Sequence, residues 1–252
     1  SGLRASIAYG IVELGDDTAR AREIAAATAF LETLRDDPLI DGWLGPHAFF
    51  VDNTEDAMAQ EMALADRFNT GMHIHLATDT SEDDYCQEKY GRTAIQQMHE
   101  MGVLDRRIIA AHAITVHDED VCLLGGKPFT VVVAASSAMR NAAGTAPLRA
   151  MVDAGVNTAL GTDNVTNNNS YDMFKEMQIA AKVNTLRELT PNAVATRAIL
   201  DMATMGGARA MGLEDRIGSL EVGKRADLIS LDLDEIGWAP FGGQDVYTAL
   251  VY

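Results

Sequence analysis

The sequence predicts an α/β fold in which six βα units lie along a parallel sheet. From Leu3 to Leu213 short apolar runs alternate with longer helical patterns, as βα units require. The runs are nearly continuous in apolar residues, "IIAAHAI" and "FTVVVAA" above all, as strands covered on both faces should be. The helical patterns between them carry start and stop signals of their own.

In chain order, the first strand is expected near Leu3 to Val12. The helix after it, in "DDTARAREIAAATAFLETLRDDP", puts Ile24, Ala27, Leu31 and Leu34 on one stripe; Asp17 can cap its start and Pro38 forbids its continuation. Strands two and three fall near Leu39 to Ala48 and Met72 to Ala77. The acidic "SEDD" after Thr80 suits a helix start, where the macrodipole favours Asp and Glu. Strands four, five and six follow near Ile108 to Ile114, Thr130 to Ala135 and Val156 to Thr162. The short helix in "GTAPLRAMVDAG" has Thr145 as a possible N-cap, Pro147 in its first turn and Gly155 just past its end. A further helical stretch runs from Thr190 to about Met211. Near Gly212 the character changes, which divides the chain into 1–212 and 213–252. In "IGSLEVGKRADLISLDLDE" Leu228, Ser230 and Asp232 alternate against Ile229, Leu231 and Leu233, as in a strand of a separate antiparallel layer. The apolar "TALVY" closes the chain.

Composition narrows the partners. At 47% hydrophobic, 252 residues can bury a sizeable core. Lys and Arg number 20 against 37 Asp and Glu, and the resulting charge of −17 repels nucleic acid and anionic lipid. Cys86 and Cys122, without C-x-x-C spacing, fit a reducing compartment and exclude a disulfide scaffold or zinc ribbon. No run approaches the roughly 18 apolar residues of a membrane span and no basic-plus-apolar leader is seen, so the cytoplasm is the expected location.

The residues that carry chemistry collect at strand ends, where parallel α/β folds build their sites. His47 closes the second strand, His73 and His75 lie in the third, His112 in the fourth, and Asp163 ends the sixth. His73 and His75 are two apart and project to the same face. Four histidines and an aspartate at one rim suit a divalent metal with nitrogen and oxygen ligands, zinc above all, that would make hydroxide available near neutral pH. Plainer readings stand beside this one. A strand histidine is commonly a hydrogen-bonded core residue, Asp163 in "GTDN" could cap the next turn, and "TNNNS" could be only a polar turn. Its asparagines, Asn168 among them, could also orient substrate.

Taken together, "GPHAFF", "HIHLAT", "AAHAI", "ALGTDNVTNNNSYDMF", "TRAILDMATMGGARAMGL" and "GSLEVGKRADLISLDL" resemble the amidohydrolase superfamily. The similarity is to its branch of aminohydrolases and triazine hydrolases, among them methylthioadenosine and S-adenosylhomocysteine deaminases, 8-oxoguanine deaminases and atrazine chlorohydrolases. The resemblance implies a (β/α)8 TIM barrel, incomplete here at about strands 3 to 8, with part of a small β-sandwich at the C-terminus. It implies that His75 and Asp163 are metal ligands, for zinc or alternatively iron, and that Asp163 also shuttles a proton. His112 would orient the attacking water or the substrate. His47 and Asn168 would contact a small heterocyclic substrate, whose amino group is removed by hydrolysis.

The departures from the family pattern carry weight. The Glu that shuttles a proton three residues after the metal histidine is replaced by Thr78, leaving Asp79 as the nearest substitute. The seventh-strand stretch "VVVAASSAMRN" has Val133, Ala135 and Ala138 where many deaminases carry His, Pro and Asn. Nothing upstream of Leu3 can supply the H-x-H that the resemblance implies for a first barrel strand, so the chain is expected to be a piece of a protein of roughly 400 to 450 residues. Its two bare sheet edges then suggest a homodimer. With two protein ligands, weak metal binding and little turnover are expected. A pseudoenzyme or binding module, and a hydrolase releasing chloride or an alkylamine, are the alternatives.

Overall fold

The computed structural model describes residues 3–232 and 245–252. Six strands, β1 (Ala5–Ile11), β2 (Ile40–Pro46), β3 (Met72–Leu76), β4 (Ile108–His112), β5 (Phe129–Val133) and β6 (Asn157–Leu160), form one sheet in sequential order. Every pairing is parallel. Each expected strand is present, and the differences are confined to the ends. The crossovers hold α1 (Asp17–Leu34), α2 (Glu55–Phe68), α3 (Ser81–Tyr90), α4 (Ala94–Glu100), α5 (Val121–Leu124), α6 (Ala135–Arg140) and α7 (Leu148–Asp153). After β6 come α8 (Val165–Asn168), α9 (Met173–Glu188), α10 (Thr196–Asp201) and α11 (Gly207–Ala210), with α12 (Val246–Val251) at the end of the chain.

The register explains which side chains meet. Met72, Ile74 and Leu76 of β3 are buried, as are Ile108 and Ala110 of β4, so this parity faces the helices. The alternate parity of β3, His73 and His75, faces the opposite side. Apolar burial against the helix layer is the main favourable term, at about 25 cal/mol per Å².

Helix ends follow local chemistry. Asp16, one residue earlier than expected, caps α1 by accepting the N–H groups of Thr18 and Ala19 at 2.8 and 3.2 Å. Asp17 already lies inside the helix and pairs with Arg20 instead. Pro147, not Thr145, occupies the cap position of α7, and the Thr145 hydroxyl is buried without a partner.

Gly206, in a π-helical turn (Met202–Gly206) before α11, has a packing reason. A Cβ there would stand 2.2 Å from Thr158 O on β6, while Asn157 donates to Gly206 O at 3.0 Å. Gly206→Ala is therefore expected to cost about 1–3 kcal/mol, seen as a lower urea midpoint at unchanged m-value. A midpoint equal to wild type would contradict this close helix–sheet approach.

Past β6 no strand occurs among the described residues. Leu228 and Ile229 are exposed and belong to no strand; Leu233 falls outside the described residues. The closing apolar run is helical because Asp245 caps α12 through Thr248 N at 3.0 Å and buries Val251. Among the described residues no helix is long and apolar enough to cross a membrane.

Candidate functional site

A cavity of about 360 Å³ opens at the carboxyl ends of the strands, lined by His47, His75, His112, Asp163, Glu82 and Ser137, among others. A larger one, about 800 Å³, lies at the amino ends of β1 and β2 and contains no histidine. Strained backbone clusters at the first. Ala77, His112, Ala113 and Asp163 have φ of 47°, 80°, 52° and 58°. Non-glycine residues pay about 1–3 kcal/mol each for such conformations, which persist where the surroundings enforce them and gather at functional sites.

His75 is held in one orientation. Its backbone N–H donates to His47 O at 2.9 Å, and its ring Nδ1 lies 3.1 Å from the same carbonyl. A carbonyl can only accept, so Nδ1 carries the proton and Nε2 keeps a free lone pair. That is the arrangement a metal-binding histidine uses.

His112 reaches the site by breaking strand parity. It pairs with Leu76, whose side chain points to the helices, yet its left-handed φ ends the extended geometry there. Its ring stacks on His75 instead, centroids 5.3 Å apart and planes 14° apart. Burial lowers its pKa, the neighbouring His75 adds to that, and Asp163 opposes it, so the ring is neutral near pH 7.

Asp163 is set as an anion. Burial works to raise its pKa but is outweighed by hydrogen bonds from Ser137 Oγ at 2.6 Å, Asn164 N at 2.7 Å and Asn167 Nδ2 at 3.1 Å, with His112 adding to them. Oδ2 accepts two of these bonds and Oδ1 one, which leaves lone-pair capacity on Oδ1. Ser137→Ala is expected to raise the Asp163 pKa, read by carboxyl NMR titration. An unmoved value would show that the serine bond does not hold the anion.

His47 is half exposed; its ring is tied at Nδ1 to Asp52 and sits 4.6 Å from the His75 ring, centroid to centroid. Asp79 is on the cavity wall, but its Oδ1 accepts Ser81 N at 2.9 Å at the start of α3. Asn168 is turned away. It donates to Thr162 O at 2.7 Å and to buried Glu176 at 2.8 Å, and so props the Asp163 loop from behind, while Asn164 and Asn167 line the cavity. His73 shares the face of His75, is exposed, and is not part of the cavity wall. Ser137, Asp52 and Glu82 were not expected at the site from sequence, and Asn167 was expected there only as one of the asparagine run. The "SS" after the fifth strand and the Asp five residues past His47 were the available signals.

The donors suit a divalent cation in kind: a free imidazole nitrogen on His75 and an ionised carboxylate on Asp163. They fall short in number. Among the described residues no three His, Cys, Asp or Glu side chains are placed to hold one ion.

Residues 1–252 match the amidohydrolase family. A 5'-deoxyadenosine deaminase of Methanosarcina barkeri is 35% identical over 256 residues, covering 100% of this chain and 58% of the relative. A 5-methylthioadenosine/S-adenosylhomocysteine deaminase of Moorella thermoacetica is 35% identical over 252 residues, with the same coverage. An adenosine deaminase from Xanthomonas campestris, solved with bound zinc, superposes with a TM-score of 0.90 at 31% identity, covering 100% of this chain and 57% of that one. The chain thus spans somewhat more than half the length of these relatives. With the whole of its sequence matched and its histidines and aspartate gathered at the strand ends, the chain belongs to the amidohydrolase family.

Proposed function

We propose that the protein hydrolytically deaminates an amino-substituted heterocycle of adenosine type, and that β1 to β6 correspond to strands 3 to 8 of an eight-stranded barrel. The observation that carries the reading is the convergence of His75, His112 and Asp163 on one cavity. The deaminase names of relatives at 35% identity support it.

His75 Nε2 and Asp163 would hold the metal, zinc or alternatively iron, which when bound supplies ionised water near neutral pH. The protein groups do the rest. Asp163, kept anionic by Ser137, Asn164 and Asn167, accepts the proton of the attacking water and returns it to the departing amine. Neutral His112, fixed against His75, donates or accepts a hydrogen bond at the reacting centre. His47, oriented by Asp52, contacts the substrate at the rim. Asn168 acts only through the loop it supports. The open edges of β1 and β6 suit pairing with a second copy, and the reading is completed by a cytoplasmic location.

The test is ammonia release from adenosine, 5'-deoxyadenosine and 5'-methylthioadenosine, with and without zinc. Slow, zinc-dependent release is expected. Binding of these nucleosides without release would favour a second reading, a binding module without turnover, to which Thr78 in place of a carboxylate lends weight. Neither binding nor release would overturn both.

A further inference from the structure

Adding an oxygen nucleophile to an amino-bearing ring carbon drives an electron pair onto the adjacent ring nitrogen, and a proton delivered there lowers the barrier. The donor must be neutral at working pH, sit in the cavity wall and have its O–H otherwise unsatisfied. Residue 78 is Thr and offers no acid of this strength. Asp79 is exposed, and its hydrogen bonds with Ser81 hold its pKa below the usual range. It stays an anion.

Glu82 meets each requirement. It stands in the first turn of α3, is 5% exposed, and lines the same cavity as His75, His112 and Asp163. One oxygen accepts the Ala77 N–H, whereas Oε1 is buried with no partner. Burial pushes its pKa up to about 8 against the pull of the Ala77 bond, and the charges of Asp83, Asp79 and Asp52 add to the rise. Asp83 and Asp79 come from its own segment and Asp52 from the loop before α2; His47, His75 and His112 share the cavity wall. A neutral buried carboxyl whose O–H has no acceptor is destabilising. The lone pair of a ring nitrogen supplies that acceptor.

We propose that Glu82 is the acid that protonates the ring nitrogen of the bound heterocycle, an assignment that rests on the deaminase reading above. As water bonds to the ring carbon, its proton passes to Asp163 and the Glu82 O–H bond breaks in favour of a ring N–H. The Glu82 carboxylate then takes the proton of the added hydroxyl while Asp163 protonates the amino group, which leaves as ammonia as the C=O forms. Both carboxyls return to their starting states, one water is consumed and one ammonia is released.

Difference infrared spectroscopy on the 252-residue chain, with adenosine as probe, tests this on wild type and Glu82→Gln. A protonated-carboxyl band lost in Glu82→Gln is expected to persist to about pH 8 and to shift when adenosine binds. Adenosine affinity is expected to fall at least about tenfold in Glu82→Gln, and in wild type above about pH 9. Adenosine binding that leaves the band unmoved, or equal affinity in the variant, overturns the proposal and leaves the deaminase reading standing. An intact band with no adenosine binding by wild type overturns the deaminase reading and the proposal with it. The band shift is measured on wild type, so the result does not depend on the variant folding.

Discussion

Asp163→Asn is expected to lower zinc-dependent ammonia release by about a thousandfold, within the range that loss of a general base commonly brings. Asparagine is the informative substitute because it tolerates the left-handed backbone that residue 163 adopts at φ 58°, so the fold is retained. What it removes is the negative charge that Ser137, Asn164 and Asn167 hold in place. An amide can neither take the proton of water nor pass one to a departing amine. Alanine would add a backbone penalty of about 1 kcal/mol and blur the result. Ammonia release by Asp163→Asn within about threefold of wild type would remove Asp163 from the chemistry.

Glu61→Met is expected to stabilise the protein by about 3 kcal/mol at pH 7, and the gain should grow as pH rises. Glu61 lies on α2 with 0% exposure and neither carboxylate oxygen has a partner. Burial, with Glu13 and Asp52 nearby, pushes its pKa up to about 8 from an ordinary value of 4.5. In the unfolded chain this group loses its proton near 4.5, whereas the folded chain keeps it until about 8. Between those limits folding takes up a proton, so stability falls as pH rises and levels off above them. Each unit of the gap is about 1.4 kcal/mol, which sets the size of the gain at pH 7. Urea midpoints at pH 5.5, 7 and 8.5 should decline less steeply for Glu61→Met than for wild type. Parallel declines would show that Glu61 is ionised in the folded protein.

How far the sequence could be read follows from which interactions are local. The six strands were legible because buried parallel strands are apolar almost throughout, and "FTVVVAA" has no competing helical period. His75 and Asp163 were legible because they stand at strand ends. His112 was placed in the fourth strand, but its direction depends on a left-handed φ that no periodicity encodes. The asparagine run was read as a unit; only coordinates distinguish Asn167, on the cavity, from Asn168, bonded to Glu176 eight residues on. Glu82 passed as a helix-start acid because its burial arises from packing between α3 and the loop at Ala77, which composition does not show. Around Leu228 the described residues form no strand, because alternation alone does not make one without ladder pairing along its length.

The measurement that bears most directly on the site is a long-range 15N–1H correlation spectrum of the imidazoles, recorded with and without zinc. His75 is expected in the Nδ1–H form, with an unprotonated Nε2 whose resonance moves on adding zinc and stays put in Asp163→Asn. An Nε2–H form of His75, or a zinc response that leaves His75 untouched, would contradict the site at its base.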